Sequence, residues 1–157
     1  MTLAPAVDVM SVTGKIQSDQ LGVCLPHEHL LNDVRSWWQP SQVNGIDPDS
    51  YRDAIVSAEI LWELRNDPFG NLDNCQMQDM EVAESELQYF RELGGVSIVE
   101  TTSISIGRDL TRLRELSIAT GLNVIAGTGF YLDSSQPPDI KASSEEDLID
   151  LMLADLT

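Results

Sequence analysis

Residues 23–31 read V-C-L-P-H-E-H-L-L, an apolar run that holds both histidines of the 157-residue chain, His27 and His29. Side chains of an extended strand alternate between its two faces, so His27 and His29 are predicted to point one way and Glu28 the other. Two imidazoles that converge from one strand face provide half of a metal site. The alternative is a packed or hydrogen-bonded histidine pair, but the H-x-H spacing at a strand end favours metal ligation.

The segments around this run predict one α/β domain over residues 1–157. An N-terminal β-hairpin is expected from short strands at 9–16 and 21–25, and loops are expected at 32–50 and 134–142. Apolar periodicity and β-branched runs predict helices at 51–65, 79–93, 109–120 and from Ser143 onward, and strands at 96–102 and 122–126.

This alternation of strands and helices implies right-handed crossovers and a parallel sheet. An open doubly wound sheet and part of a (β/α)8 barrel both satisfy the predicted order. A whole barrel needs about 250 residues, so a barrel in this chain would be incomplete.

The composition is strongly acidic, with 9 Lys plus Arg against 26 Asp plus Glu and a net charge of −17. Such a surface repels phosphate backbones and anionic lipid, so neither nucleic acid nor membrane is expected as a partner. The sequence shows no apolar stretch of transmembrane length and no secretory signal, which predicts a cytoplasmic protein. Two cysteines, Cys24 and Cys75, do not make a disulfide framework.

Sites in parallel α/β folds form at the C-terminal ends of the strands. Besides the histidines, two such ends carry candidate residues, Glu100–Thr102 and Gly127–Tyr131. The run G-T-G-F-Y matches neither G-x-G-x-x-G nor a Walker pattern. Its glycines are interpreted as allowing close backbone approach, with Phe130 and Tyr131 as an aromatic wall, although core packing fits these two rings equally well.

A carboxylate in an apolar strand needs a partner, which makes Glu100 informative. It is predicted either to orient a metal-bound histidine through hydrogen bonds or to form a structural ion pair with a residue such as Arg108. The structural ion pair is slightly favoured. Arg108 is expected to be a structural anchor, and its neighbour Asp109 is expected to cap a helix. Trp37 follows the histidine strand and is a candidate roof for a substrate pocket, although covering a hydrophobic edge is an equal alternative.

The segment from Gly22 to Leu30, G-V-C-L-P-H-E-H-L, resembles the first signature of the phosphotriesterase family in the amidohydrolase superfamily, G-x-T-L-x-H-E-H-[LIV]. It differs at Cys24, where the pattern has threonine. Further matches follow in order: N-L-D-N (71–74), L-G-G-V-S-I-V-E-T-T (93–102), I-G-R-D (106–109) and T-G-L-N-V-I-A-G-T-G-F-Y (120–131). The resemblance covers nearly the whole chain, and its V-E-T-T and G-F-Y-L-D wording is closest to the phosphotriesterase-related branch.

The resemblance implies the N-terminal part of a (β/α)8 TIM barrel with two divalent metals, usually zinc, at its C-terminal mouth. In such enzymes a metal-bridging hydroxide attacks an ester, lactone, amide or phosphotriester. His27 and His29 are then expected to ligate the more buried metal, and Tyr131 to line the pocket of a small-molecule substrate. The family also makes a homodimer of the complete barrel an expectation.

The chain lacks several of the metal ligands that the family uses. The family takes a bridging carboxylated lysine or glutamate from the fourth strand, and two histidines and an aspartate from later strands. This sequence ends in the helix before that strand, so the missing ligands are expected beyond Thr157 and the isolated chain is expected to be inactive. Two rival interpretations are a non-catalytic half-barrel that serves as an oligomerisation or binding module, and a small α/β protein whose H-E-H is structural.

Overall fold

The computed structural model describes residues 5–156 as an α/β fold. Its strands are β1 (Asp8–Ser11), β2 (Gly14–Gln17), β3 (Val23–Glu28), β4 (Asn32–Asp33), β5 (Gln76–Met77), β6 (Gly95–Glu100) and β7 (Asn123–Ala126). Its helices are α1 (Pro48–Arg52), α2 (Leu61–Asn66), α3 (Met80–Glu92), α4 (Leu110–Thr120), α5 (Pro138–Ala142) and α6 (Glu145–Asp155). None of the helices within residues 5–156 is long and apolar enough to cross a membrane.

The N-terminal hairpin is shorter than predicted and consists of β1 and β2 alone. The prediction of one strand at 9–16 is wrong, because the chain reverses at residues 12–13. The segment at 21–25 overlaps β3 instead, which belongs to a separate sheet. The hairpin joins that sheet through the backbone N–H of Val12, which donates to the carbonyl of Val124 in β7 at 2.9 Å.

The central sheet is parallel, with strand order β3-β6-β7. Each crossover advances by one strand in the same direction, and the crossover helices α3 and α4 pack against each other. Right-handed crossovers that keep one direction place successive helices on one face, whereas a doubly wound sheet reverses direction and covers both faces. The observed order is therefore that of a barrel segment. Its buried core contains Leu31, Leu87, Ile98, Leu116 and Leu122.

Helices α3 and α4 lie where the sequence predicts them, because their ends carry strong local signals. The side chains of Asp79 and Asp109 accept hydrogen bonds from backbone N–H groups in the first turns of α3 and α4, respectively. Gly121 ends α4 in the left-handed conformation at φ +69°, which glycine adopts without steric cost. Gly121 thereby ends α4 two residues before β7 begins.

The predicted helix at 51–65 is wrong, since α1 and α2 are separate short helices. The buried side chain of Asn71 explains the break. Its Nδ2 donates to the carbonyl oxygens of Tyr51 (2.8 Å) and Ala54 (2.7 Å), which a continuous helix would use for its own hydrogen bonds. A side chain distant in sequence thus replaces the helical partners of this segment.

The C-terminal helix α6 begins one residue later than predicted. Ser144 rather than Ser143 is its N-cap, and Asp147 forms a capping box with Ser144. The predicted loop at 134–142 also contains the short helix α5. The Ser144 side-chain oxygen accepts the backbone N–H of Asp147 in the first turn at 3.2 Å.

Candidate functional site

His27 and His29 lie at the C-terminal end of β3, where the strand leaves its regular pairing with β6. Their ring centroids are 5.6 Å apart, with the ring planes at 75°, and both rings line one small cavity. Glu28 lies between them in sequence and is not among the residues that line this cavity. The two imidazoles therefore converge on a shared space, as the alternation along an extended strand predicts.

Behind His29, hydrogen bonds lead to the buried carboxylate of Glu100. Nδ1 of His29 lies 2.8 Å from Oγ1 of Thr102, and this hydroxyl donates to Oε1 of Glu100. The relative exposure of both Thr102 and Glu100 is 0%. The carboxylate also accepts the backbone N–H groups of Leu30 (3.3 Å) and Thr102 (3.2 Å). The end of β6 thus presents a buried, hydrogen-bonded carboxylate one side chain away from the imidazole.

Burial raises the pKa of the Glu100 carboxyl above its ordinary value, because removal from water disfavours the charged form. The hydrogen bonds from Thr102 and from the Leu30 N–H act in the opposite direction on this pKa. The alternative of an ion pair between Glu100 and Arg108 is wrong. Arg108 donates instead to the carbonyl of Gly127 (2.9 Å) and to Asp155 (2.7 Å), which confirms its predicted anchoring role.

The cavity beside the histidines has a volume of about 300 Å³. Its lining residues come from the end of β3 and from the segments that follow β3, β6 and β7: His27, His29, Asn32, Val34, Trp37, Ile106 and Tyr131. The rings of Trp37 and Tyr131 are 6.1 Å apart between centroids. Nε1 of Trp37 donates to Oγ of Ser135, which ties the loop after β3 to the loop after β7.

The structure brings two of the three predicted pocket aromatics together. Trp37 and Tyr131 line the cavity, whereas Phe130 is half-buried and lies outside its lining. Trp38, the neighbour of Trp37, supports the loop instead, since its Nε1 donates to the Gly70 carbonyl at 3.0 Å. The assignment of Trp37, Phe130 and Tyr131 to substrate binding stays a prediction.

Thr102 lies within the predicted strand end Glu100–Thr102 but had no predicted role, and Ile106 was not predicted as a site residue. A signal for Thr102 was present, because it follows Glu100 by two residues at a strand end and alternation places the two side chains on one face. Ile106 carries no such signal, because it reaches the cavity from a short 3-10 helix, Ile104–Ile106, and not from a strand end.

The two imidazoles fit part of a metal site but not a whole one. Within residues 5–156 the structure contains no group of three or more His, Cys, Asp or Glu side chains that could hold a metal ion. Both rings face a cavity, and His29 is supported at Nδ1, as metal-binding histidines usually are. Catalytic zinc sites use three protein ligands, so further ligands would have to come from outside the described residues.

Comparison with known proteins identifies the family that shares this arrangement. The profile of the Phosphotriesterase family matches residues 7–157. The chain belongs to the phosphotriesterase family. This phosphotriesterase-family chain is 35% identical over 150 residues to the Phosphotriesterase-related protein of Nematostella vectensis and 33% identical over 149 residues to the N-acetyltaurine hydrolase of Rattus norvegicus. Each alignment covers 94% of this chain and 42% of the relative, so the chain spans less than half the length of these curated relatives.

A solved structure agrees with this family assignment. The resiniferatoxin-binding protein from Rhodobacter sphaeroides superposes with a TM-score of 0.86 at 42% identity, over 95% of this chain and 41% of the other. The predicted fold class is thereby confirmed: this phosphotriesterase-family chain forms part of an α/β barrel. Its curated relatives include proteins named as hydrolases.

Proposed function

We propose that this chain forms the first part of a zinc-dependent hydrolase that acts on ester, lactone, amide or phosphotriester bonds. The observation that carries the proposal is the convergence of His27 and His29 on one cavity at the strand ends. Barrel enzymes place their chemistry at this end of the strands. Family membership supports the same reaction class.

In this proposal His27 and His29 hold one of two divalent metal ions through ring nitrogens. The metals supply, when bound, an activated hydroxide and polarisation of the bond that is cleaved. Glu100 orients His29 from behind. The remaining ligands come from outside residues 5–156, because the described part of the chain offers no larger group of ligand side chains.

Trp37 and Tyr131 are proposed to contact the substrate, and the cavity they line favours an uncharged substrate. Lys and Arg are absent from its seven lining residues, all of which belong to the described part of the chain. The chain as a whole carries a net charge of −17. Apart from the proposed metal ions, an anionic substrate would find no pairing cation in this wall, and it would approach a strongly acidic chain. N-acetyltaurine carries a sulfonate, so it is the contrasting candidate that the Rattus relative suggests.

A second candidate is a half-barrel that binds a small molecule or a second subunit without hydrolysis. One relative of this chain is named as a resiniferatoxin-binding protein, and the described residues supply two imidazoles rather than a complete ligand set. This candidate predicts ligand binding that does not depend on metal. The cytoplasmic location and the homodimer stay predictions from the sequence, and light scattering of the purified protein checks the second of them.

The test uses the complete gene product, purified without chelator. Zinc content is measured by mass spectrometry, and initial rates are measured with a neutral aryl ester, a lactone, a phosphotriester and N-acetyltaurine. We expect bound zinc, hydrolysis of at least one neutral substrate, and loss of both zinc and activity in His27→Ala and His29→Ala. Glu28→Gln is the matched control, because this side chain lies between the histidines in sequence but outside the cavity lining.

Two outcomes would overturn the proposal. Wild-type turnover by zinc-free protein would exclude the metal-dependent mechanism. Binding of a neutral ligand that survives both histidine substitutions, with no turnover of any of the four substrates, would establish the second candidate.

A further inference from the structure

The hydroxyl of Thr102 has three neighbours and one proton to donate. Its Oγ1 lies 2.8 Å from Nδ1 of His29 and 3.2 Å from the carbonyl oxygen of Leu31, and it also contacts Oε1 of Glu100. A threonine hydroxyl donates a single hydrogen bond and accepts through its lone pairs. The proton can therefore serve only one of these neighbours, and its position decides the protonation state of the imidazole nitrogen.

With Glu100 ionised, two of the three neighbours act only as acceptors. The Leu31 carbonyl has no proton, and each oxygen of the Glu100 carboxylate already accepts a backbone N–H, from Leu30 at Oε1 (3.3 Å) and from Thr102 at Oε2 (3.2 Å). If the Thr102 hydroxyl donated its proton to His29, the lone pairs of Oγ1 would face the Leu31 carbonyl oxygen and Oε1 of Glu100, which are also acceptors. That arrangement is repulsive, and no water can relieve it because Thr102 and Glu100 are fully buried.

We infer that Thr102 holds His29 in the tautomer with the proton on Nδ1 and thereby keeps Nε2 free as the metal-binding nitrogen. The imidazole then donates from Nδ1 to Thr102, and Thr102 donates to the buried acceptors behind it. Thr102 is a positioning residue, since it acts on the metal through His29. The tautomer itself depends only on residues of this chain. Its role in metal binding rests on the proposed function.

Thr101 provides a matched control on the other side of the same ring. Its Oγ1 lies 3.5 Å from Nε2 of His29 and 3.4 Å from the carbonyl of Glu28, so it makes only long contacts. Removing this hydroxyl should leave the tautomer unchanged. Removing the Thr102 hydroxyl should change the tautomer.

The test is long-range 1H–15N correlation NMR of the complete protein labelled with 15N-histidine, in the metal-free state. It is run at about pH 8.5, where an ordinary imidazole with a pKa of about 6.5 is neutral. His29→Asn identifies the His29 signals. We expect a protonated-type 15N shift at Nδ1 and an unprotonated-type shift at Nε2 in the wild type, in Thr102→Ser and in Thr101→Val. Thr102→Val should give a mixture of tautomers.

Zinc affinity, measured by competition with a chromophoric chelator, supplies the second readout. Thr102→Val is expected to weaken zinc binding about 10- to 100-fold, the usual effect of removing a group that orients a ligand histidine. Thr102→Ser and Thr101→Val should stay within about threefold of the wild type on the same grounds.

A proton on Nε2 in the wild type overturns the inference without any variant, so the test survives if Thr102→Val does not fold. The inference is also overturned if Thr102→Val shows the same His29 tautomer and the same zinc affinity as Thr101→Val. If the expected tautomer is observed but neither the wild type nor any variant binds zinc, the inference stands and the proposed function is wrong. The two failures are therefore distinguishable.

Discussion

Arg108 donates from Nη1 to Oδ2 of Asp155 at 2.7 Å, and so links the loop after β6 to the C-terminal helix α6. The same Arg108 nitrogen donates to the carbonyl of Gly127 (2.9 Å), and the same carboxylate oxygen accepts the hydroxyl of Thr128 (2.6 Å). The side chains of Arg108 and Asp155 are only 8% and 19% exposed. This cluster fixes α6 against the strand ends that carry the candidate site.

Asp155→Asn is predicted to reduce the free energy of unfolding by about 2 kcal/mol, because it removes the charge partner of a mostly buried guanidinium. Urea unfolding followed by circular dichroism measures the change. Asp133→Asn is the control, since the ion pair of Asp133 with Lys141 lies in solvent, where the aspartate side chain is 93% exposed. An equal loss in both variants would show that burial of the pair contributes nothing.

The same carboxylate predicts a pH dependence of stability. Arg108 holds the pKa of Asp155 below its ordinary value of 3.8, so the folded state binds this proton less readily than the unfolded state does. Its contribution is therefore complete above about pH 4 and is lost as pH falls through the lowered folded-state pKa. Asp155→Asn should show a weaker loss of stability than the wild type between about pH 4 and pH 2. Parallel curves for the two proteins would contradict this assignment.

Tyr131→Ala is predicted to raise KM for a neutral substrate about tenfold, equivalent to about 1.4 kcal/mol of lost binding, with a smaller effect on kcat. The reason is that Tyr131 lines the cavity beside Trp37 and is a proposed substrate contact rather than a reacting group. Tyr89→Ala on α3 is the control, because that ring is 61% exposed and lies outside this cavity. A fall in kcat at constant KM would assign Tyr131 to the chemical step instead.

Asn71→Leu is predicted to reduce the free energy of unfolding by about 3 kcal/mol, because three backbone groups lose their partner. Besides its bonds to the Tyr51 and Ala54 carbonyls, Asn71 accepts the N–H of Asn74 through Oδ1 at 2.7 Å. We expect faster proteolysis of the segment between α1 and α2 under native conditions. Asn66→Ala, which removes an exposed side-chain bond to the Trp62 carbonyl, should change neither quantity appreciably.

The elements that the sequence predicted well are those whose signals are local. Asp79, Asp109 and Gly121 mark the ends of α3 and α4 with their own side chains or backbone freedom, so a window of a few residues contains the cause. The convergence of His27 and His29 was also predictable, because strand alternation is local.

The failures have non-local causes. The helix at 51–65 is broken by Asn71, whose amide reaches back 17 and 20 residues to capture two carbonyls. The partner of Glu100 depends on which side chain the fold brings to the end of β6. Arg108, eight positions away, is a chemically suitable partner, but it binds Asp155 instead. Such competition between partners cannot be resolved from spacing alone.

Gly94 precedes β6 and Gly95 is its first residue, and the two are predicted to resist substitution for different reasons. Gly94 has φ +95°, and a Cβ there would meet nothing within 4 Å, so Gly94→Ala costs backbone strain of about 1 to 2 kcal/mol. A Cβ on Gly95 would run into the ring of Phe90, so Gly95→Ala costs about 1 to 3 kcal/mol of overpacking.

A double-mutant cycle separates the two causes. Adding Phe90→Leu should recover part of the stability that Gly95→Ala loses, since the smaller side chain leaves room for the new methyl group, and should recover nothing in Gly94→Ala. Urea unfolding of the four single and double variants, with Phe90→Leu as the common reference, measures both coupling energies. Zero coupling in the Gly95 cycle would show that the backbone of β6, rather than the Phe90 ring, requires glycine at this position.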